Sequence, residues 1–91
     1  MRTTLTFEIA EAAHECGINQ EAIIQFINFE WIQPVDPINL LLDKDDIARI
    51  QLISELKDNL GVNDESIPII LHLIDQLNHL HQELIQKTKR L

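Results

Sequence analysis

The chain has 91 residues, of which 45% are hydrophobic and 24% are charged, and this composition excludes a disordered or fibrous protein. Fifteen acidic residues against seven basic ones give a formal net charge of −8, which disfavours nucleic acid and favours a basic protein surface as partner. Cys16 is the single cysteine and excludes an internal disulfide, and the first residues show no apolar run typical of a signal peptide or membrane span, so we expect a cytoplasmic protein.

Two short helices around a glycine are predicted in the first third of the chain. The first covers residues 6–15, begins at Thr6 and ends before Gly17, which can adopt the left-handed conformation that closes a helix. The second covers residues 19–29, with Asn19 as its N-cap and with Ile23 and Phe26 at helical spacing. Two helices joined by a few residues centred on a glycine indicate a helix-turn-helix.

Residues 31–42 contain Pro34 and Pro37 and are predicted to form a small wing. The two prolines are incompatible with a regular helix through the first half of the segment. The β-branched and apolar residues around them favour two short extended pieces on either side of a turn at Asp36 and Pro37.

The third predicted helix covers residues 43–60 and is stopped by Gly61. Asp43 is its predicted N-cap, and the two acids that follow in the first turn suit the positive end of the helix. Its buried stripe is predicted to consist of Ile47, Ile50, Ile53, Leu56 and Leu60.

The last helix is predicted to be the longest, from a cap at Asn63 or Ser66 as far as Lys89. Pro68 is compatible with it because the amides of a first helical turn need no helical acceptor. Four leucines recur at alternating steps of four and three residues, which is the pattern of a coiled-coil seam. These seam residues are Leu73, Leu77, Leu80 and Leu84.

Together these elements predict a mainly α-helical fold, in which residues 1–61 form a winged helix-turn-helix head and residues 62–91 form a long helix that packs on it. Beyond Leu77 little chain remains to cover the leucine seam, which favours a homodimer through this helix. The alternative is a helical partner that contacts Ile70, Ile74, Leu77 and Leu84.

No arrangement of residues indicates an enzyme, a cofactor site or a metal site. His72, Asp75 and His79 share a helix face, but seven residues place the two histidines about 10 Å apart along the axis, too far to share one zinc ion. A solvated face explains them, and histidines from two copies of the chain stay open as an alternative. Cys16 has acidic neighbours, whereas a reactive thiol needs positive surroundings, so we interpret it as a structural cysteine.

The order of these elements resembles the head of MerR-type regulators, and the closer resemblance is to the chaperone modulatory proteins of the MerR-like CbpM family. The residues that carry it are TFEIAEAA at 6–13, CGINQE at 16–21, EWIQP at 30–34, LLLDKDD at 40–46 and, most densely, residues 56–83. The resemblance covers nearly the whole chain. It implies a MerR-like helix-turn-helix head with a small wing, followed by two helices of which the last is long and able to form a coiled coil.

Proteins of the CbpM family bind the J-domain of the DnaJ-like co-chaperone CbpA and inhibit its work with the DnaK-type chaperone. The resemblance therefore implies a chaperone modulator whose partner is a J-domain. A J-domain presents a basic helix to its chaperone, and an acidic competitor is electrostatically suited to that helix. The net charge of the chain points independently to a basic protein partner.

The alternative function is that of a MerR-like, DNA-binding transcriptional regulator. Such regulators need Arg or Lys on the second helix and on the wing to contact phosphates. Residues 19–42 contain no base at all but include Glu21, Glu30 and Asp36. The amide side chains of the second helix are suited to hydrogen bonds with the edges of DNA bases. However, no Lys or Arg lies nearby to neutralise the phosphates of the DNA backbone.

Acids of the head and of the last helix are the predicted partner-binding residues, with an aromatic residue as apolar anchor. The set is Glu15, Glu21, Glu30, Trp31, Asp36, Asp64, Glu65 and Asp75. Phe29 is a second candidate anchor. The alternative for the acids is a solvated surface, and the alternative for both aromatic residues is packing in the core of the head.

Overall fold

A computed structural model describes residues 5–89, and this part of the chain is mainly helical, as predicted. Its α-helices are α1 (Ile9–Cys16), α2 (Gln20–Asn28), α3 (Lys44–Ser54) and α4 (Ile67–Lys89). The chain divides into two compact units after Gly61, the first with α1 to α3 and the second with α4. Arg2 and Arg90, which contribute to the net charge, lie outside the described residues.

Helix α1 begins three residues later than the predicted start at Thr6. Phe7 is not helical because its backbone pairs with Leu42, with N–O distances of 2.7 and 2.9 Å in the two directions. Glu8 takes the N-cap position, and its amide donates to the Glu11 carboxylate at 2.9 Å. Gly17 closes the helix at φ 69°, in the left-handed region that the sequence predicts for it.

Helix α2 begins as predicted, since the Asn19 side-chain oxygen accepts the amide of Ala22 at 2.8 Å. It ends at Asn28, and the chain leaves it through Glu30, which has a left-handed φ of 64°. The Trp31 amide then donates back to the Phe26 carbonyl at 2.9 Å. Helix α1 packs against both α2 and α3, so the predicted helix-turn-helix is confirmed.

The core of the first unit is apolar throughout. Among the described residues no polar or charged residue is buried, and no buried side-chain nitrogen or oxygen lacks a hydrogen-bond partner. The fully buried side chains of this unit include Ile23 from α2, Leu42 beside the bridge to Phe7, and Ile50 and Ile53 from α3.

The wing has the predicted turn after Asp36, but the pieces on either side of it pair at a single residue each and form no strand in the described part of the chain. Asp36 and Leu41 pair as a single-residue bridge, with N–O distances of 3.0 and 3.2 Å, and residues 37–40 form the turn between them. Pro34 and Pro37 have no amide hydrogen to give to a ladder. The Asp36 carboxylate also accepts the two amides that follow Pro37, which holds the chain in a turn.

Helix α3 starts with a reciprocal cap. The Asp46 amide donates to the Asp43 carboxylate at 2.8 Å, and the Asp43 amide donates to the Asp46 carboxylate at 3.0 Å. Both bonds satisfy amides that have no partner within the helix. The predicted cap at Asp43 is therefore confirmed.

The buried stripe of α3 ends at Leu56, whereas the sequence predicts that it also includes Leu60. A π-helical turn, Glu55–Asn59, continues α3, and its last bond runs from the Leu60 amide to the Glu55 carbonyl at 3.1 Å. Ile47, Ile50, Ile53 and Leu56 are buried, but Leu60 is 66% exposed. The wider i to i+5 turn rotates Leu60 away from the apolar face, so its assignment to the core is wrong.

Helix α4 has the predicted extent, with Pro68 as its second residue and Lys89 as its last. A turn at residues 64–66 precedes it, in which the Asn63 side chain accepts the amide of Ser66 at 3.0 Å. Ile67 and Leu71 near its start are buried, whereas the four seam leucines are exposed.

Candidate protein-binding surface

The outward face of α2 carries no positive charge. Ile23 and Phe26 point inwards and are buried, which leaves Glu21, Gln25 and Asn28 exposed at steps of four and three residues, with the apolar Ile24 between them. In a helix-turn-helix this face of the second helix is the one that enters the DNA groove. Here it presents one carboxylate, two amides and an apolar side chain.

Most of the predicted acidic residues are exposed, and they are spread over several elements of both units. Glu15 is near the end of α1, Glu21 is in the first turn of α2, and Glu30 follows α2. Asp64 and Glu65 are neighbours in the turn before α4, and Asp75 lies within α4. That these exposed acids bind a partner protein stays a prediction.

Two of the bases in the first unit are directed towards the protein itself. Arg49 donates from Nε to the carbonyl of Trp31 at 2.7 Å, which ties α3 to the start of the wing. Lys57 places Nζ 5.7 Å from the ring centroids of both Phe26 and Trp31. Such a cation over an aromatic face is attracted by the ring electrons. Both contacts were missed by the sequence analysis, because they join residues 18 or more positions apart.

The two candidate aromatic anchors differ in exposure. Trp31 is only 6% exposed and packs its ring 5.7 Å from that of Phe26, so it belongs to the core. Phe29 is 51% exposed and covers Trp31 at a centroid distance of 4.9 Å. The core alternative therefore holds for Trp31, and Phe29 is the aromatic residue available at the surface.

Asp36 is half-buried and organises the wing instead of pointing a free carboxylate at solvent. It accepts the amides of Ile38 and Asn39, each at 3.1 Å, and the Asn39 side-chain amide at 2.9 Å. The Asn39 side chain, followed by its backbone amide, holds the pKa of Asp36 below the ordinary value.

The tip of the wing exposes apolar side chains that no pattern in the sequence singles out. Ile38 is 90% exposed, the largest exposed fraction of any large hydrophobic residue in residues 5–89, and Val35 and Leu40 are also exposed. The available signal was the turn-forming series of Asp36, Pro37 and Asn39. An isoleucine inside such a turn has no strand or helix face on which to be buried.

Asp46 connects the stem of the wing to α3. Its carboxylate accepts the Val35 amide at 3.3 Å in addition to the amide of Asp43. Burial raises the pKa of Asp46, and the nearby charge of Asp43 acts in the same direction. The hydrogen bonds from both amides oppose this shift, and they fix where the wing leaves the helix.

On α4, polar and apolar residues occupy neighbouring strips. His72, Asp75 and His79 line a shallow surface depression of about 400 Å³ with Gln76 and Leu80. The imidazole of His79 lies 3.3 Å from the Glu83 carboxylate, one helical turn further on. Within the described part of the chain, no three His, Cys, Asp or Glu side chains come together as metal ligands.

Cys16 is half-buried, with its sulfur 3.9 Å from the carbonyl oxygen of Ile47. Burial, followed by the charge of Glu15, raises the pKa of the thiol. The thiolate, which is the nucleophilic form, is therefore disfavoured. These surroundings agree with the interpretation of Cys16 as a structural residue.

Between residues 5 and 89, no helix is both long and apolar enough to cross a membrane. No curated protein is significantly similar to the chain. A family model described as MerR HTH family regulatory protein matches residues 7–89 and so spans the helix-turn-helix, the wing, α3 and α4. The chain belongs to the MerR helix-turn-helix family of regulatory proteins.

Proposed function

We propose that this protein is a chaperone modulator, which binds the basic J-domain of a CbpA-type co-chaperone and blocks its action with the DnaK-type chaperone. One observation carries the proposal: the exposed face of α2 and the wing, where DNA-reading relatives need bases, contain none. Residues 19–42 include Glu21, Glu30 and Asp36 and not a single Arg or Lys. The resemblance to the CbpM family implies that this basic partner is a J-domain.

The charge of the first unit suits a basic partner in two ways. Its exposed acids attract a basic helix over a distance of about 8 Å at physiological ionic strength. Its bases are also few, because Lys44, Arg49 and Lys57 are the only Lys or Arg residues between positions 5 and 61. Complementarity of this kind acts mainly on the association rate and on specificity.

The test is a titration of an isolated CbpA-type J-domain against the whole protein at low and at high salt. We expect binding that weakens as salt rises. Glu21→Gln should weaken it further at low salt, whereas the matched control Glu83→Gln, which removes an acid outside the predicted set, should leave it unchanged. Absence of binding at low salt would show that the proposed function is wrong.

The second candidate, a DNA-binding regulator, is favoured by membership of the MerR helix-turn-helix family. Neutralisation of phosphates by Lys and Arg releases counterions and supplies much of the affinity for DNA, and the exposed face of α2 and the wing contain no such residue. A gel shift with the promoter of the protein's own gene tests this candidate. A specific shift at physiological salt would favour it over chaperone modulation.

We further propose that the chain forms a homodimer through α4. The support is an uncovered apolar strip, because Leu73, Leu77, Leu80 and Leu84 are all more than half exposed at the spacing of a coiled-coil seam. Neighbouring Ile69 and Ile85 widen the exposed apolar area. A helical partner that lies along the same strip is the alternative.

A further inference from the structure

The tip of the wing is an apolar projection on an acidic protein. Ile38 is almost fully exposed, and Val35 and Leu40 flank it in the same short loop. Single exposed apolar residues are ordinary on protein surfaces, but here three lie within six residues of the sequence.

The projection is held in a defined shape before any partner arrives. The Asp36–Leu41 bridge closes the loop, and the Asp36 carboxylate accepts hydrogen bonds from the Ile38 amide and from both amides of Asn39. At the stem, the Asp46 carboxylate accepts the Val35 amide. A loop that is already ordered loses little conformational entropy on binding, which favours affinity.

The backbone of the projection is strained at one position, where the residue is not of a type that suits the local conformation. Leu40 has a φ of 55°, a left-handed conformation that glycine or asparagine adopts more easily than leucine. Asn39, which would suit that conformation, lies one position earlier, where its side chain donates a hydrogen bond to the Asp36 carboxylate. The chain thus keeps an exposed leucine at a strained position, and strain of this kind is found preferentially at binding sites.

From these observations we infer that the wing tip is a docking element, which inserts Ile38 into an apolar cleft on a basic partner protein. The inference rests on the proposed function and names the surface through which it acts. Val35 and Leu40 contact the walls of the cleft. Basic residues on the rim of the cleft face the acids that flank the projection.

The charges around the projection decide between partner classes. Residues 30–46 contain five acids and one base, Lys44, and the nearby Arg49 is directed at the Trp31 carbonyl. An apolar side chain that inserts between DNA base pairs needs Lys or Arg nearby to neutralise the phosphates. Insertion into an anionic lipid surface likewise needs Lys or Arg to contact the headgroups. A protein cleft with basic neighbours is the class that both the apolar tip and its acidic flanks fit.

The experiment compares Ile38→Ser with Leu60→Ser, since both substitutions remove an exposed apolar side chain without changing charge. Each variant is titrated against the CbpA-type J-domain at low salt. We expect Ile38→Ser to weaken binding by about tenfold or more, as for a buried interface anchor, and Leu60→Ser to change it by less than about twofold. The salt dependence of the residual binding should be unchanged in Ile38→Ser, since no charge is removed.

A third variant, Asp36→Ala, keeps Ile38 but removes one negative charge together with the acceptor that orders the loop, so it should weaken binding more than Glu21→Gln, which removes a charge alone. Thermal melts followed by circular dichroism verify that the variants are folded. If the wild type binds and Ile38→Ser binds equally well, the docking element is refuted while the proposed function stands. If the wild type does not bind the J-domain at low salt, both fail.

Two further outcomes would also overturn the inference. The first is a gel shift of promoter DNA that Ile38→Ser abolishes, because the wing would then contact nucleic acid. The second is binding of the wild type to vesicles with anionic phospholipid headgroups that is lost in the same variant.

Discussion

Glu30 is the residue at which the chain turns from α2 into the wing, and it does so at a φ of 64°. This is the position after a helix where glycine is most favoured. We predict that Glu30→Gly stabilises the protein by about 1 kcal/mol, because the left-handed conformation costs a glycine much less than a glutamate. Urea denaturation followed by circular dichroism measures the change in the free energy of unfolding.

Gly17→Ala is the matched control for that prediction. Gly17 has a φ of 69°, and a Cβ atom added there would meet nothing within 4 Å. Only backbone strain changes, so this variant should lose stability, with the opposite sign to Glu30→Gly. Equal and unchanged stabilities for both variants would show that neither conformation is strained.

The carboxylate of Asp36 gives a second prediction. Its pKa is lowered in the folded protein by the Asn39 side chain and backbone, so its carboxylate supports the wing at a pH above its ordinary value of about 3.9. That support is lost as the pH falls through the lowered value. We expect the amide resonances of Ile38 and Asn39 to shift together in an acid NMR titration, with a midpoint below the ordinary value.

Asp36→Asn should abolish this titration, since an asparagine has no proton to gain in that range. If the two amides titrate at the ordinary aspartate value or above it, the hydrogen bonds from Asn39 to the carboxylate are absent in solution.

The caps at Asn19 and Asp43 were predictable from the sequence because each depends on a residue and an amide three positions away. The left-handed φ of Glu30 was not predictable, because glutamate has no preference for that conformation and the contact that requires it is tertiary. The Trp31 amide has to reach the Phe26 carbonyl while the Trp31 ring packs in the core. Local sequence preferences therefore predicted where α2 begins but not how the chain leaves it.

At the scale of elements, the π-helical turn after α3 decides which leucines belong to the core. We predict that Leu56→Ala costs about 2–5 kcal/mol in the free energy of unfolding, as for other buried leucines. Leu60→Ala should change it by no more than about 0.5 kcal/mol, because Leu60 is mostly exposed. Chemical denaturation of both variants checks this pair.

A regular α-helix through residue 60 would make the two losses similar, so equal costs would refute the π-helical turn in solution. The sequence could not reveal that turn. The stripe from Ile47 to Leu56 continues to Leu60 at a step of four, and only the bond from the Leu60 amide to the Glu55 carbonyl shows that the register changes.

The wing illustrates a different limit of the sequence. Its two prolines correctly excluded a helix, but the extended pieces required amides that could join a ladder. Apart from the Asp36–Leu41 bridge, the structure uses those amides locally, on the Asp36 side chain. The apolar and β-branched residues of the wing therefore indicated strands, although in the structure they form the exposed surface of a turn. For this reason the sequence did not predict the docking element proposed above.

At the scale of the whole molecule, the proposed dimer gives a further prediction. Sedimentation equilibrium of the wild type should give twice the mass of one chain, because pairing of two α4 helices would cover the exposed leucines. The double variant Leu77→Ser/Leu80→Ser should sediment as a single chain, and Leu60→Ser should behave as the wild type. A wild type with the mass of one chain at every concentration would contradict the proposal.

The family could be predicted from the order of elements, since the helix-turn-helix, the wing and the long last helix each have local signals. Helix α4 was the most predictable part, because its apolar period extends over several turns. The candidate surface was less predictable. Exposure separated Trp31 from Phe29, and no sequence pattern distinguishes a core tryptophan from an exposed phenylalanine two residues away.

The exposed carboxylates of the first unit also have a consequence for how the two proposed associations compete. Two copies of a chain with net charge −8 repel each other, so added salt should strengthen self-association by screening that repulsion. Binding to a basic partner changes with salt in the opposite direction. Ionic strength would then act as a balance between the two states, in which dilute salt favours the mixed complex and concentrated salt favours the protein paired with itself.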